Sequence, residues 1–366
     1  MSDTGDLKHL PLEQLHRDAG ARFGGFAGWS MPITYPAGVM KEHLHTREQA
    51  GLFDISHMKL IEVSGPQAAE ALARACPLVP GDLAISQSKY TFLLNDAAGI
   101  IDDLIVTRLG DDRFMVVANA GNAEADAAEL NKAGDGLDVA IEPLDRVFLA
   151  LQGPAAAAVL AECGVDVDDL TFMHGRADGD RFASRSGYTG EDGFEVALPP
   201  DAARSFAETL LADDRVMWIG LAARDSLRLE AGLCLHGQDI DPSTTPIEAG
   251  LMWAVPKPLR QGGPYAGAQA LAAAVADGPS RKRVGLKPEG RQPVRAGTPL
   301  FDADRNDAGM VTSGGFGPSA GGPVAMGYVP AGGTEPGTTY FAEVRGNRIP
   351  VTVHPLPFTP HRYRKG

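Results

Sequence analysis

Two stretches of the chain follow one pattern: KLIEVSGPQAAEALARAC over 59–76 and VFLALQGPAAAAVLAEC over 147–163. Each reads as a short strand, a Gly-Pro pair and an alanine-rich amphipathic helix, with proline standing where a helix's first turn tolerates it. Continuing along each copy, the first reaches YTFLLNDAAGIIDDLIV and the second RFASRSGYTGEDGFEVAL, and both read as hairpins with acidic residues entering the return strand. Strand-Gly-Pro-helix units are common in α+β domains, so a matched pair followed by matched hairpins predicts a duplication and two related α+β domains. On that reading Asp103 and Glu195 occupy related positions in the two copies.

The texture changes beyond about residue 255. PKPLRQGGP, PEGRQPVRAGTPLF, TSGGFGPSAGGPVAMGYVPAGGTEPGTTYFAEV and NRIPVTV are short alternating runs between Gly/Pro turns, which predict a small C-terminal β-barrel or sandwich. The helical pattern YAGAQALAAAVADG forms the bridge, so the chain divides into residues 1–275 and 276–366. At 366 residues, more than one hydrophobic core is expected in any case.

A formal charge of −14 disfavours nucleic acid as a partner, because affinity for a phosphate backbone rests on cations. No apolar run is long enough to span a bilayer, so no membrane partner is expected. The polar start, MSDTGDLKHLPLEQLHRDAG, lacks a secretory signal's apolar stretch and predicts a cytoplasmic location. Cys76, Cys163 and Cys234 are too widely spaced for a metal site or a disulfide framework and read as buried free thiols. His43 and His45 lack the HExxH spacing and the other histidines are scattered, so no metal site is proposed. His57, in FDISHMKL, reads as a histidine satisfied by a local hydrogen bond.

The chemistry-bearing candidates gather around turns. SGYTGEDGFEV (186–196) has three glycines without the Lys-Ser or Lys-Thr of a phosphate loop and runs into a strand, so it predicts a hairpin rather than an anion cradle. If Phe194 and Val196 face a core, Glu195 faces the other way, toward solvent or toward a ligand. In GIIDDLIV the adjacent Asp102 and Asp103 point to opposite faces of a strand, so one of them can enter a cleft. Arg224 and Arg228 in GLAARDSLRLEAG share nearly one helix face, with Asp225 and Glu230 available as ion-pair partners. Acids and arginines around glycine turns suit a cationic or N–H-rich heterocycle with a carboxylate tail. The basic, aromatic ending HRYRKG is either a solvated tail or a segment that folds back over such a ligand.

Together, FAGWSMPITYP (26–36), TREQAGLFDISHM (46–58), GIIDDLIVT (99–107), VVANAGN (116–122), SGYTGEDGFEV, LAARDSLRLEAGLCLHGQDID (221–241), TPIEAGLMWAV (245–255), RVGL (283–286), VTSGGFGPS (311–319) and PFTPHRYRK resemble the aminomethyltransferase, or T-protein, family of the glycine cleavage system. The resemblance covers nearly the whole chain in the family's order. It implies a three-domain cloverleaf around a central folate site, two α+β domains and a C-terminal β-barrel. The implied reaction releases ammonia from the aminomethyl group on the lipoyl arm of the H protein and passes the one-carbon unit to tetrahydrofolate, giving 5,10-methylenetetrahydrofolate without a metal or nicotinamide. Carried over residue by residue, the resemblance makes Asp103 the critical aspartate, with Asp102 as the alternative for that position, and Glu195 the pterin-contacting glutamate. Arg224, Tyr188, Asn119, Met58 and Tyr90 are implied to line the folate pocket, Arg295, Arg362 and Tyr363 to contact the ligand's tail, and Arg228 to be structural. Two rival expectations share this fold: a folate-dependent S-demethylase and a non-catalytic folate-binding protein.

Overall fold

A computed structural model describes residues 7–366, which form three lobes around a central cavity. The duplication is present in the backbone. The first copy is a five-stranded sheet in which Ser88–Leu94, Ile100–Arg108, Arg113–Ala118, Lys59–Ser64 and Ala140–Leu144 lie side by side. Helices Ala68–Ala75 and Ala123–Gly134 supply Leu72 and Leu130 to the core on one of its faces. The second copy orders His174–Asp178, Arg181–Arg185, Gly193–Leu198 and Val147–Gln152 in the same sequence, and its helices are Ala156–Glu162 and Pro200–Leu211. Here an earlier strand, Ala50–Asp54, enters between Val147–Gln152 and the final strand Val216–Trp218.

Both Gly-Pro pairs lie ahead of their helices rather than in the first turn, and the glycine sets the turn there. Gly65 and Gly153 take φ of +123° and +129°, a region that side chains other than glycine rarely adopt. A Cβ on Gly153 would stand 2.2 Å from the Gln49 carbonyl oxygen, so that turn admits no other residue.

The expected equivalence of Asp103 and Glu195 does not hold. Asp103 lies on the second strand of its copy's hairpin Ser88–Leu94/Ile100–Arg108, which supplies the first and second of three successive antiparallel strands. Glu195 lies in the hairpin Arg181–Arg185/Gly193–Leu198, which supplies the second and third. The two hairpins look alike in sequence but are one strand out of step, because any two neighbours in a meander share the same alternation and turn chemistry.

The two sheets close on each other through Phe53, Ile55, Leu60, Met115, Val117, Phe148 and Phe182, joined by Ala223 and Leu227 of helix Leu221–Glu230. Side chains alternate across each strand, so one face of each sheet meets its own helices and the other meets this shared layer. At the C-terminus, Arg281–Pro288, Gly322–Pro330, Asp307–Gly317, Pro299–Phe301, Thr339–Val344 and Asn347–His354 close into a six-stranded barrel, which leaves that sheet no free edge. Helix Ala268–Asp277 precedes it and packs Leu271 beside Phe92, Ile100 and Tyr265. The architecture is α+β, two related α+β domains and a barrel. No helix among the described residues is long and apolar enough to cross a membrane.

Candidate active site

Where the lobes meet, a cavity of about 860 Å³ is lined by Met58, Tyr90, Asp103, Asn119, Tyr188, Glu195, Arg224 and Tyr363 together with apolar side chains. That volume lies within the range of small-molecule and cofactor sites. The structure therefore gathers eight of the eleven expected site residues.

Strand alternation separates the two aspartates. Asp103 opens on the cavity, where its carboxylate accepts the Tyr90 hydroxyl at 2.8 Å and the Asn119 side-chain amide at 2.9 Å. Asp102 points to the opposite face, is fully buried, and accepts from the Asn119 backbone N–H at 3.2 Å, the Asn119 amide at 3.0 Å and the Asn122 amide at 2.9 Å. It does not line the cavity, which corrects its placing as an alternative ligand-facing acid. Burial, and after it the Asp102 charge, pushes the Asp103 carboxyl up to about 6, against the Tyr90 hydrogen bond and the nearby His236.

Glu195 lies across the cavity on Gly193–Leu198. Phe194, Val196 and Leu198 pack into the helix-covered core, so the intervening glutamate faces inward to the site, where the Ser186 hydroxyl donates to it at 2.7 Å. Burial raises its pKa, while Ser186 and Arg224 oppose the rise. The glycines before it allow a close approach: a Cβ on Gly187 would stand 1.8 Å from the Gln152 side-chain oxygen, and the Gln152 amide donates to the Ser186 carbonyl at 3.0 Å. This turn thus seats the serine that holds the glutamate.

Arg224 lies 4.9 Å from the Tyr188 ring centroid, and one terminal guanidinium nitrogen, Nη1, is buried with no hydrogen-bond partner among the described residues. Burial lowers its pKa, with Glu195 as the compensating charge. Arg228, one turn on, is tied by its Nε to Asp225 at 2.8 Å, by Nη1 to Asp239 at 2.6 Å and by Nη2 to Ser313 of the barrel at 2.8 Å. The two arginines share a helix face but differ in what is left to bind.

Three expectations need correction. Arg295 is exposed on the barrel surface outside the cavity, because its neighbour Val294 is the residue buried in the barrel core. Arg362 turns away from the cavity toward Glu191, 3.4 Å distant, with 57% of its side chain exposed. Its neighbours His361 and Tyr363 face the cavity instead, and Tyr363 stacks on Phe172 with ring centroids 3.9 Å apart. The tail does fold back, fixed where the Arg362 N–H donates to Gly190 and the Phe172 N–H to the Arg364 carbonyl, each at 2.8 Å. Third, His57 is not satisfied locally: its Nδ1 is buried without a partner among the described residues, and burial holds the ring neutral with a pKa of about 3.

Sequence reasoning passed over two cavity residues. Trp253, 62% exposed, stacks on Tyr90 with centroids 5.4 Å apart, and the Asn122 side-chain amide donates to His236 Nδ1 at 2.9 Å. Both sit inside stretches that carry the family resemblance, yet neither residue type nor spacing marks them there.

A mainly apolar cavity with Asp103, Glu195, the unpaired Arg224 Nη1 and several aromatic rings has the groups to hold a flat, N–H-bearing heterocycle. The described residues thus fit a pterin: Glu195 is buried with one hydrogen-bond donor, Ser186, and Arg224, half-buried, leaves its buried Nη1 without a partner. Comparison with known proteins gives the family. The GCVT N-terminal domain model matches residues 12–258 and the glycine cleavage T-protein C-terminal barrel model matches 281–359. The mitochondrial aminomethyltransferase of Gallus gallus is 44% identical, over 98% of this chain and 94% of its own; that of Homo sapiens is 41% identical, over 98% and 91%. The crystal structure of glycine cleavage system aminomethyltransferase T from Bartonella henselae superposes with a TM-score of 0.97 at 61% identity, over 98% of this chain and all of the other. The chain belongs to the glycine cleavage T-protein family.

The relatives also overturn the cytoplasmic location expected from the N-terminal residues, since those from Gallus gallus, Homo sapiens and Dictyostelium discoideum are named mitochondrial. A missing apolar stretch argues only against a secretory signal. Mitochondrial transit peptides are amphipathic and Arg-rich, so that criterion does not detect them.

Proposed function

We infer that this enzyme is the aminomethyltransferase of a glycine cleavage system: it releases ammonia from the aminomethyl group on a lipoylated H protein and transfers the one-carbon unit to tetrahydrofolate. The observation that carries the reading is Asp103, a carboxylate held by Tyr90 and Asn119 inside a largely apolar cavity with a pKa of about 6. Above that pH it is an anion in a medium where charges interact strongly, and it stabilises the positive charge that develops as ammonia leaves. Near neutrality it also exchanges a proton readily with an amine nitrogen.

Tetrahydrofolate supplies the amine nitrogens that accept the one-carbon unit. Glu195 accepts from two neighbouring N–H groups of the pterin edge in bidentate fashion, and Ser186 fixes its orientation. Arg224 offers its free N–H to the same ligand and balances the Glu195 charge. Tyr188, its hydroxyl bound to the Cys234 carbonyl, presents a ring face to the cavity, and Met58 and Tyr363 add apolar wall.

The test mixes the purified protein with tetrahydrofolate and an H protein whose lipoyl arm carries the aminomethyl group, and follows ammonia and 5,10-methylenetetrahydrofolate together. Equal, enzyme-dependent appearance of both is expected. Folate binding without either product would refute the transferase reading and favour a demethylase or a folate-binding protein.

A further inference from the structure

Asp126, on the first turns of helix Ala123–Gly134, has no part in the site described above. Its side chain is fully buried, and neither carboxyl oxygen meets an N–H or O–H donor among the described residues. Asn122, one turn before it and bonded to its N–H through the carbonyl at 2.8 Å, donates to Asp102 at 2.9 Å, and the i,i+4 spacing sets the Asp126 carboxyl on that same side, beside the carboxyl of Asp102. Such a contact requires one of the pair to carry a proton, because two buried carboxylates in contact do not both ionise. The donor inventory decides which. Asp102 receives three N–H groups from Asn119 and Asn122, which stabilise its anion, whereas Asp126 receives none.

The other groups nearby do not reverse this. Asp103 lies beyond Asp102, and the Cys76 thiol, itself raised by burial to about 12, offers no positive charge. Glu124 on the same helix is exposed. His236 stands 3.9 Å from Asp102, not against Asp126. Around Asp103 the remaining titratable groups are Tyr90, Tyr188 and Cys234, all held neutral by burial. The helix N-terminus favours an anion at Asp126, but by far less than the penalty of an unpaired buried carboxylate. Burial and the Asp102 charge accordingly raise the Asp126 pKa to about 10.

We propose that Asp126 is a positioning residue for the transfer reaction: a protonated carboxylic acid that donates its hydrogen bond to Asp102, keeps that neighbour ionised, and so fixes Asn119 and the charge state of Asp103. The chain of contacts runs Asp126, Asp102, Asn119, Asp103, Tyr90, from a helix core to the cavity wall. The inference rests on Asp103 acting as proposed above, but the proton on Asp126 can be read without activity.

The first measurement is the infrared carbonyl stretch of a protonated carboxyl in the wild-type protein at pH 8, compared with Asp126→Asn. A band component present in the wild type and missing from the variant is expected; no band, or one of undiminished intensity in Asp126→Asn, overturns the proposal whatever the enzyme's activity. The second is kinetic. Asp126→Leu removes the donor and should lower kcat by about tenfold or more, the effect of losing a hydrogen bond to a charged group, with KM for tetrahydrofolate within about threefold. Its acid pH limb, set by Asp103, should shift or broaden once the donor beside Asp102 is gone. Asp126→Asn keeps an N–H donor and should recover most of the lost turnover. An Asp126→Leu enzyme with wild-type kcat and an unchanged single-step limb also refutes the role, and if that variant does not fold the infrared comparison alone decides.

Discussion

Replacing Asp103 by asparagine keeps the side chain's size and one of its two accepting oxygens, so that the Oδ1 can still accept from Asn119 while the Tyr90 hydroxyl turns to accept from the new amide, and it removes the charge. If the carboxylate stabilises the cation formed as ammonia leaves, its loss can be sized by Coulomb's law. At about 4 Å and an effective dielectric constant of about 20 the interaction is ~4 kcal/mol, or roughly a thousandfold in rate. Folate affinity should stay within a few-fold, because Glu195 and Arg224 hold the ligand elsewhere in the cavity. Stability should move the other way. A folded-state pKa of about 6 means that the native protein binds this proton more tightly than the unfolded chain does, so ionised Asp103 opposes folding. That opposition is absent below about pH 4, grows as pH rises to about 6, and is complete above it, on the order of 2–3 kcal/mol. Asp103→Asn should therefore melt higher than the wild type at pH 8 and not at pH 4, while its single-turnover rate with aminomethyl-loaded H protein falls by about three orders of magnitude. Turnover within about tenfold of wild type would refute the electrostatic role, and a lower melting temperature at pH 8 would show that the charge is not under strain there.

The same ionisation sets the acid side of the pH profile: kcat/KM should rise with pH through about 6, and Tyr90→Phe, which removes a donor to the carboxylate, should move that limb upward by as much as about one pH unit. Glu195→Gln should weaken tetrahydrofolate binding by about tenfold or more with a smaller change in kcat, measured by titration calorimetry and steady-state kinetics, because a buried acceptor of pterin N–H groups is lost. Arg362→Ala should leave folate affinity unchanged, since the guanidinium faces Glu191; a large loss would restore it to the ligand site. Gly187→Ala drives a methyl group into Gln152 and should cost about 1–3 kcal/mol in denaturant unfolding.

Local period and turn chemistry are the features legible in the sequence. Alternation in the strand put Phe194 and Val196 on one face and Glu195 on the other, and the same period separated Asp102 from Asp103, although it could not say which of the two met a cavity. That choice depends on which sheet face packs against helices, a property of the fold rather than of eight residues. Misreading the repeat has a similar origin. A meander of three antiparallel strands contains two overlapping hairpins, and a one-strand offset between the copies leaves every local signal intact. Arg295 and Arg362 failed for a third reason: basic residues near a resemblance are easily assigned to an anionic tail, whereas the direction of each side chain is set by its neighbours, Val294 in the barrel core and Tyr363 stacked on Phe172. Asp126 was invisible because a lone acid on an alanine-rich helix reads as a solvated face. Only the packing of that helix over the sheet core, with Asn122 at its start bonded to Asp102, turns it into a buried acid without a donor, and so into a group whose proton has to be accounted for.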